Sequence, residues 1–182
     1  MAEPAAEAPG GDALWQFSLA FYAVPGVADA LISLQDREGL DVNLILFALW
    51  FGLSGHGRLD RNRLAAADRA ICMIRTEIVE PLRSLRRRLR NYSDEEVQRL
   101  REDVKALELA GEELVQSRLA RLAGEVRSDA PLKRRLADAC ANFALYVGPD
   151  DATGTAARFI QEALATFADH PLPFPPPRAG EG

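Results

Sequence analysis

Apolar positions recur every three or four residues along most of this chain, and no segment alternates with period two over a useful length. The pattern therefore predicts helices and no sheet. Asp12 is a suitable N-cap for a first helix that runs to Tyr22. Its apolar residues fill a Leu14/Phe17/Phe21 row and a Trp15/Leu19/Tyr22 row, an arc wider than one buried stripe. Val24-Pro25-Gly26 ends it, and Pro25 suits the first turn of a second helix over about Val27 to Arg37. Gly39 falls where a left-handed C-terminal cap belongs. Asp41 can cap the next helix, Val42 to Leu53, which apart from Asn43 is apolar on every side. It spans only about 18 Å, too short to cross a bilayer, so it is expected to be the covered centre of the core.

Ser54-Gly55-His56-Gly57 makes a turn, and Asp60 caps a long fourth helix with Leu64, Ala67, Ile71, Ile74, Ile78, Leu82, Leu85 and Leu89 on one face. Pro81 is expected to kink it. After Asn91-Tyr92-Ser93, a capping box of Ser93 and Glu96 starts a fifth helix. Its seam of Val97, Leu100, Val104, Leu107, Gly111 and Leu114 then slips to Val115, Leu119, Leu122 and Val126. Two long helices joined by a short polar turn read as an antiparallel, coiled-coil-like hairpin over residues 60–126. A sixth helix starts around Ser128-Asp129-Ala130-Pro131 and stops at Gly148-Pro149; a seventh starts at Asp150 or Asp151 and carries Ile160, Leu164 and Phe167. Residues 1–11 read as a disordered leader and 170–182 as a Pro-rich flexible tail. What remains, residues 12–169, is expected to be a single all-α domain, a helical bundle of about seven helices.

Composition narrows the function classes without naming one. With 48% hydrophobic residues the chain cannot be disordered throughout, and it has no 18-residue apolar run that would make a transmembrane helix. The first twelve residues lack the basic start and apolar core of a secretory signal, so a cytoplasmic location is expected. A net charge of −5 argues against generic nucleic-acid binding. That charge is uneven: residues 1–41 sum to −6 and residues 58–90 to +6. Cys72 and Cys140 have no CxxC partner and fall on apolar stripes, so both read as small buried hydrophobes.

The basic run from Arg83 to Arg90 holds Arg83, Arg86, Arg87, Arg88 and Arg90. It could bind an anionic partner. The alternative is a solvated face partly paired with residues 94–113, where eight acidic groups outnumber three basic ones. Around Gln35 to Asn43, the carboxylates Asp36, Glu38 and Asp41 with Asn43 surround one tight turn; capping explains Asp41 and Asn43 more simply than a metal does. Helical enzymes that handle prenyl diphosphates hold magnesium with paired aspartates, but Asp150-Asp151 has no partner motif here. His56 lies beside the apolar third helix and His170 precedes the tail. No GxSxG, HExxH, GxGxxG or GxxxxGK[ST] occurs, so no catalytic, metal or cofactor residue is assigned and no cofactor is expected.

The run Leu14-Trp15-Gln16-Phe17-Ser18, then Phe21-Tyr22, Pro25-Gly26-Val27, Leu34-Gln35-Asp36, Asp41 to Phe47 and Trp50, resembles a family of uncharacterised proteobacterial proteins, a domain of unknown function. The resemblance covers residues 12–56. It implies a bacterial cytoplasmic protein and brings no activity with it.

The leading expectation is a non-enzymatic binding or adaptor protein that meets another protein, or a second copy of itself, through the aromatic N-terminal helices (Trp15, Phe21), the hairpin, or both. The second is a small-molecule or lipid-binding protein, or an enzyme, with a pocket near Asp36, Asn43, Trp50 and His56. The third is peripheral binding to anionic membrane through Arg83–Arg90.

Overall fold

The computed structural model describes residues 11–126, 129–148 and 154–173, and among them every regular element is helical. The order is α1 (Gly11–Tyr22), α2 (Val27–Glu38), α3 (Val42–Leu53), α4 (Arg61–Ile74), a π-helical turn (Arg75–Val79), α5 (Glu80–Leu89), α6 (Glu95–Ala123), α7 (Leu132–Val147) and α8 (Thr155–Ala168). The junction residues Ile74, Arg75, Val79 and Glu80 all keep right-handed helical angles, so α4, the π turn and α5 form one rod. The fold is all-α, as expected, with seven such rods among the described residues. The leader at 1–10, the Asp150/Asp151 start and most of the Pro-rich tail lie outside the described residues.

α3 is the centre. Residues 43 to 53 are all buried, and α1, α2, α6 and α7 pack around them. Asp41 caps it as expected, its Oδ1 accepting from the N–H groups of Asn43 (2.7 Å) and Leu44 (3.3 Å). At its far end Arg135 of α7 donates to Leu53 O at 2.9 Å. The crossing with α7 is close because position 52 is glycine: a Cβ there would overlap the backbone N and Cα of Ala139. Asn142 then pins the following loop, accepting from Leu59 N–H (2.7 Å) and donating to Gly57 O (3.0 Å).

α1 and α2 are bent by 102° about the Val24-Pro25-Gly26 break. Phe17 and Phe21 stack at 5.5 Å, and Phe167 of α8 meets both edge-on. Gly39 ends α2 at φ 68°, its N–H bonded to Gln35 O, in the left-handed conformation that favours glycine. Among the described residues no helix is long and apolar enough to cross a membrane.

α5 and α6 pack antiparallel: Val79 lies against Gly111, Arg83 pairs with Glu108, and Gln98 donates to Leu89 O. Four expectations in and around this pair need correction. The cap of α6 is Asp94, which accepts from Glu96 and Val97 N–H, in place of Ser93, because the helix starts one residue later. Pro81 produces a π turn just before it in place of a simple kink; Glu80 N–H reaches back five residues to Arg75 O. The buried line of α6 passes through Val104, Glu108, Gly111, Val115 and Leu119, leaving Leu100, Leu107, Leu114 and Leu122 exposed. Cys72 is exposed, since Ile71 and Ile74 take the inward positions of α4; Cys140 is half-buried.

Candidate functional site

A cleft of about 550 Å3 lies between the α2–α3 junction, the α4–α5 rod with its π turn, α6 and α7. Inserting a residue into an α-helix widens one turn and re-aims its side chains, and such turns recur at functional sites. Here the widened turn presents Arg75, Thr76 and Val79 to the cleft, followed by Glu80 and Arg83. Facing them are Gln35, Asp41 and Asn43, together with Asp68, Val115 and Tyr146.

Charge is arranged in two fixed groups. The Arg75 guanidinium bridges Asp41 Oδ2 (3.1 Å) and Asp68 Oδ1 (2.7 Å). Arg83 pairs with Glu108 (3.0 Å) and Glu112 (2.5 Å), and Arg86 holds the other Glu108 oxygen. Burial works against the Glu108 carboxylate, but hydrogen bonds from Arg86 and Arg83 outweigh it and keep its pKa below the ordinary glutamate value. Glu112 goes the other way: burial raises its pKa despite Arg83. Tyr146 is raised to about 12, first by burial and then, against the hydrogen bond that Asp41 N–H donates to its hydroxyl at 2.9 Å, by the Asp41 charge. Its own O–H remains available to donate. Glu80 makes no ion pair or side-chain hydrogen bond among the described residues. Behind the wall a buried polar chain links three helices: Ser18 donates to Gln116 at 2.7 Å, and Gln116 donates to Asn43 at 2.9 Å.

Of the residues singled out from sequence, the cleft takes in Asn43 and Arg83. Asp36 is exposed on α2. Trp50 and His56 stand at the other end of α3, about 10 Å along the axis from Asn43, so the four do not share one pocket. Trp50 is buried, its indole N–H without a partner among the described residues. His56 packs between the rings of Trp50 (4.8 Å) and Phe51 (4.9 Å). Its Nε2 donates to Gly124 O at 3.0 Å and its Nδ1 lies 2.7 Å from Ser54 Oγ, while burial lowers its pKa. This is a structural histidine that ties the α3 loop to the end of α6. Phe21 is fully buried against Phe17 and Phe167, which removes it from any contact surface; Trp15 is half-buried. Arg83 and Arg86 are committed to α6, whereas Arg87, Arg88 and Arg90 are exposed and form no ion pair among the described residues.

Sequence reasoning missed Arg75, Asp68, Glu80 and Tyr146. Pro81 was the available signal, since a proline inside an unbroken helical pattern forces the turn before it to adjust. Among the described residues no three His, Cys, Asp or Glu side chains gather to hold a metal ion.

A protein-family model described as "Protein of unknown function (DUF2390)" matches residues 13–119, which carry every wall residue of the cleft except Tyr146. No curated protein and no solved structure matches the chain.

Proposed function

The chain belongs to this family of unknown function, which brings no reaction with it, and from the geometry of the cleft we propose that the protein binds a small polar molecule bearing a positively charged amine. One observation carries the reading: both guanidiniums in the wall are already held by carboxylates, while Glu80 is not. Within the wall and directly behind it, Asp41, Asp68, Glu80, Glu108 and Glu112 outnumber Arg75, Arg83 and Arg86. An entering cation gains from that excess, and an entering anion meets no uncommitted base. The Tyr146 hydroxyl and the Gln35 and Asn43 amides supply neutral hydrogen-bonding groups. The volume falls in the usual range for small-ligand sites, roughly 300–1,000 Å3.

Calorimetric titration with spermidine and with inorganic phosphate tests this. The expected result is saturable, salt-sensitive binding of the amine, weakened about tenfold or more by Glu80→Gln, and no binding of phosphate. Binding of phosphate, or of neither probe, overturns it.

A second reading, non-enzymatic action through protein contacts, is supported by the exposed leucines of α6. For the anionic-membrane reading, Arg87, Arg88 and Arg90 are the cations of the cluster left without an ion pair among the described residues.

A further inference from the structure

α6 carries a row of leucines that the fold leaves uncovered: Leu100, Leu107 and Leu114 are 52%, 59% and 42% exposed. They follow one another at seven-residue steps, and Glu96 and Arg118 stand four residues outside the two ends. At about 100° per residue, all five side chains lie within about 40° of arc, next to the buried line through Val104 and Gly111. Isolated exposed leucines need no explanation, but three in register on one helix form a seam. Ile78, itself exposed, lies beside it: its Cγ2 is 3.8 Å from where a Cβ on Gly111 would stand.

The row is symmetric about Leu107. A two-fold axis there, perpendicular to the helix, sets Leu107 on its own copy, Leu100 on the partner's Leu114, and Glu96 on the partner's Arg118. Glu96 and Arg118 are exposed and form no ion pair within the chain among the described residues. Arg121, near the C-terminal end, faces the acidic first turn of the other copy, Glu95 and Glu96. Ala110 leaves room beside Leu107 for a close crossing. Parallel pairing would instead set Glu96 on Glu96 and Arg118 on Arg118, and like charges face to face disfavour it.

We propose that the outer face of α6 is a self-association surface, on which a second copy of this chain docks antiparallel through Leu100, Leu107 and Leu114, with Glu96 and Arg118 setting the register. This goes beyond the cleft, since none of these residues lines it.

Analytical ultracentrifugation of the full chain, from low micromolar to submillimolar concentration, tests the proposal. The wild type is expected to form a reversible dimer, and Leu107→Glu to leave it monomeric throughout. Glu96→Arg and Arg118→Glu each set like charges together and are expected to raise the dissociation constant about tenfold; the double exchange restores it to within about threefold. Helicity by circular dichroism is expected to match the wild type in all four variants, and spermidine titration reads the cleft separately. A wild type that stays monomeric overturns the proposal, as does a dimer indifferent to Leu107→Glu. A double exchange as weak as either single one overturns the antiparallel register.

Discussion

His56 shows how a residue that sequence sets near a possible pocket is held as a structural tie in the fold. Set between glycines and beside an apolar helix, it reads from sequence as one wall of a pocket. In the fold both ring nitrogens are engaged, by Ser54 and by the Gly124 carbonyl, and two aromatic rings enclose it. A carbonyl only accepts, so Nε2 carries a proton. Burial lowers its pKa beneath the ordinary 6.5. Above that value folded and unfolded chains are both neutral there, and the histidine adds no pH dependence. As pH falls through 6.5 only the unfolded chain takes up the proton, so stability is lost from there down to the lowered folded value. Urea unfolding at about pH 7.5 and 5.5 is expected to show a larger loss for wild type than for His56→Gln. Glu112 acts in the opposite direction, because its raised pKa makes the folded chain the better proton acceptor as pH falls. The difference between wild type and variant cancels that contribution. Equal losses in the two proteins would contradict the assignment.

Among the elements, legibility followed the number of independent local signals. α3 announces itself by an Asp cap, an all-apolar run and a turn, and its borders were readable to the residue. α6 is ambiguous, because leucines lie on several rows and Glu108 occupies a buried position that composition alone assigns to the surface. The buried row is chosen by two arginines arriving from α5, which no reading of α6 by itself contains. The π turn is equally hard to read locally: Pro81 signals a disturbance, while the partner that Val79 meets, Gly111, lies on another helix. The two helix-packing glycines separate on the same grounds. A Cβ at Gly52 meets Ala139 backbone, which cannot move without displacing α7, so Gly52→Ala is expected to cost about 3 kcal/mol. At Gly111 the obstacle is Val79 Cγ2 at 3.1 Å, a side-chain methyl with some freedom. The helix-propensity gain there, about 1 kcal/mol, offsets the crowding, so Gly111→Ala is expected to stay within about 1 kcal/mol of wild type. Urea midpoints of the two variants check the contrast, and a similar cost at both sites would refute it.

For the whole molecule, the family-matched stretch, residues 13–119, does not coincide with the unit that buries the core. α3 is apolar all round, and α7 packs closely against it through the Gly52–Ala139 crossing. Beyond the match, Arg135 bonds Leu53 O, Asn142 fixes the backbone at Gly57 and Leu59, and Tyr146 receives the N–H of Asp41 at the head of α3. Phe167 closes the Phe17–Phe21 stack. Leaving out α7 and α8 would expose several large side chains at roughly 1.5–3 kcal/mol each, against a total stability on the order of 5–15 kcal/mol. A fragment ending at residue 126 is therefore expected to keep much of its helicity, whose α6 and rod contributions are largely local. It should nonetheless lose the cooperative thermal transition and the near-ultraviolet signal of Trp50 and its neighbours. Co-expression with residues 127–182 is expected to restore both, because the missing surface is supplied without a covalent link. A fragment that melts as sharply as the full chain would show that α1 to α6 cover α3 unaided.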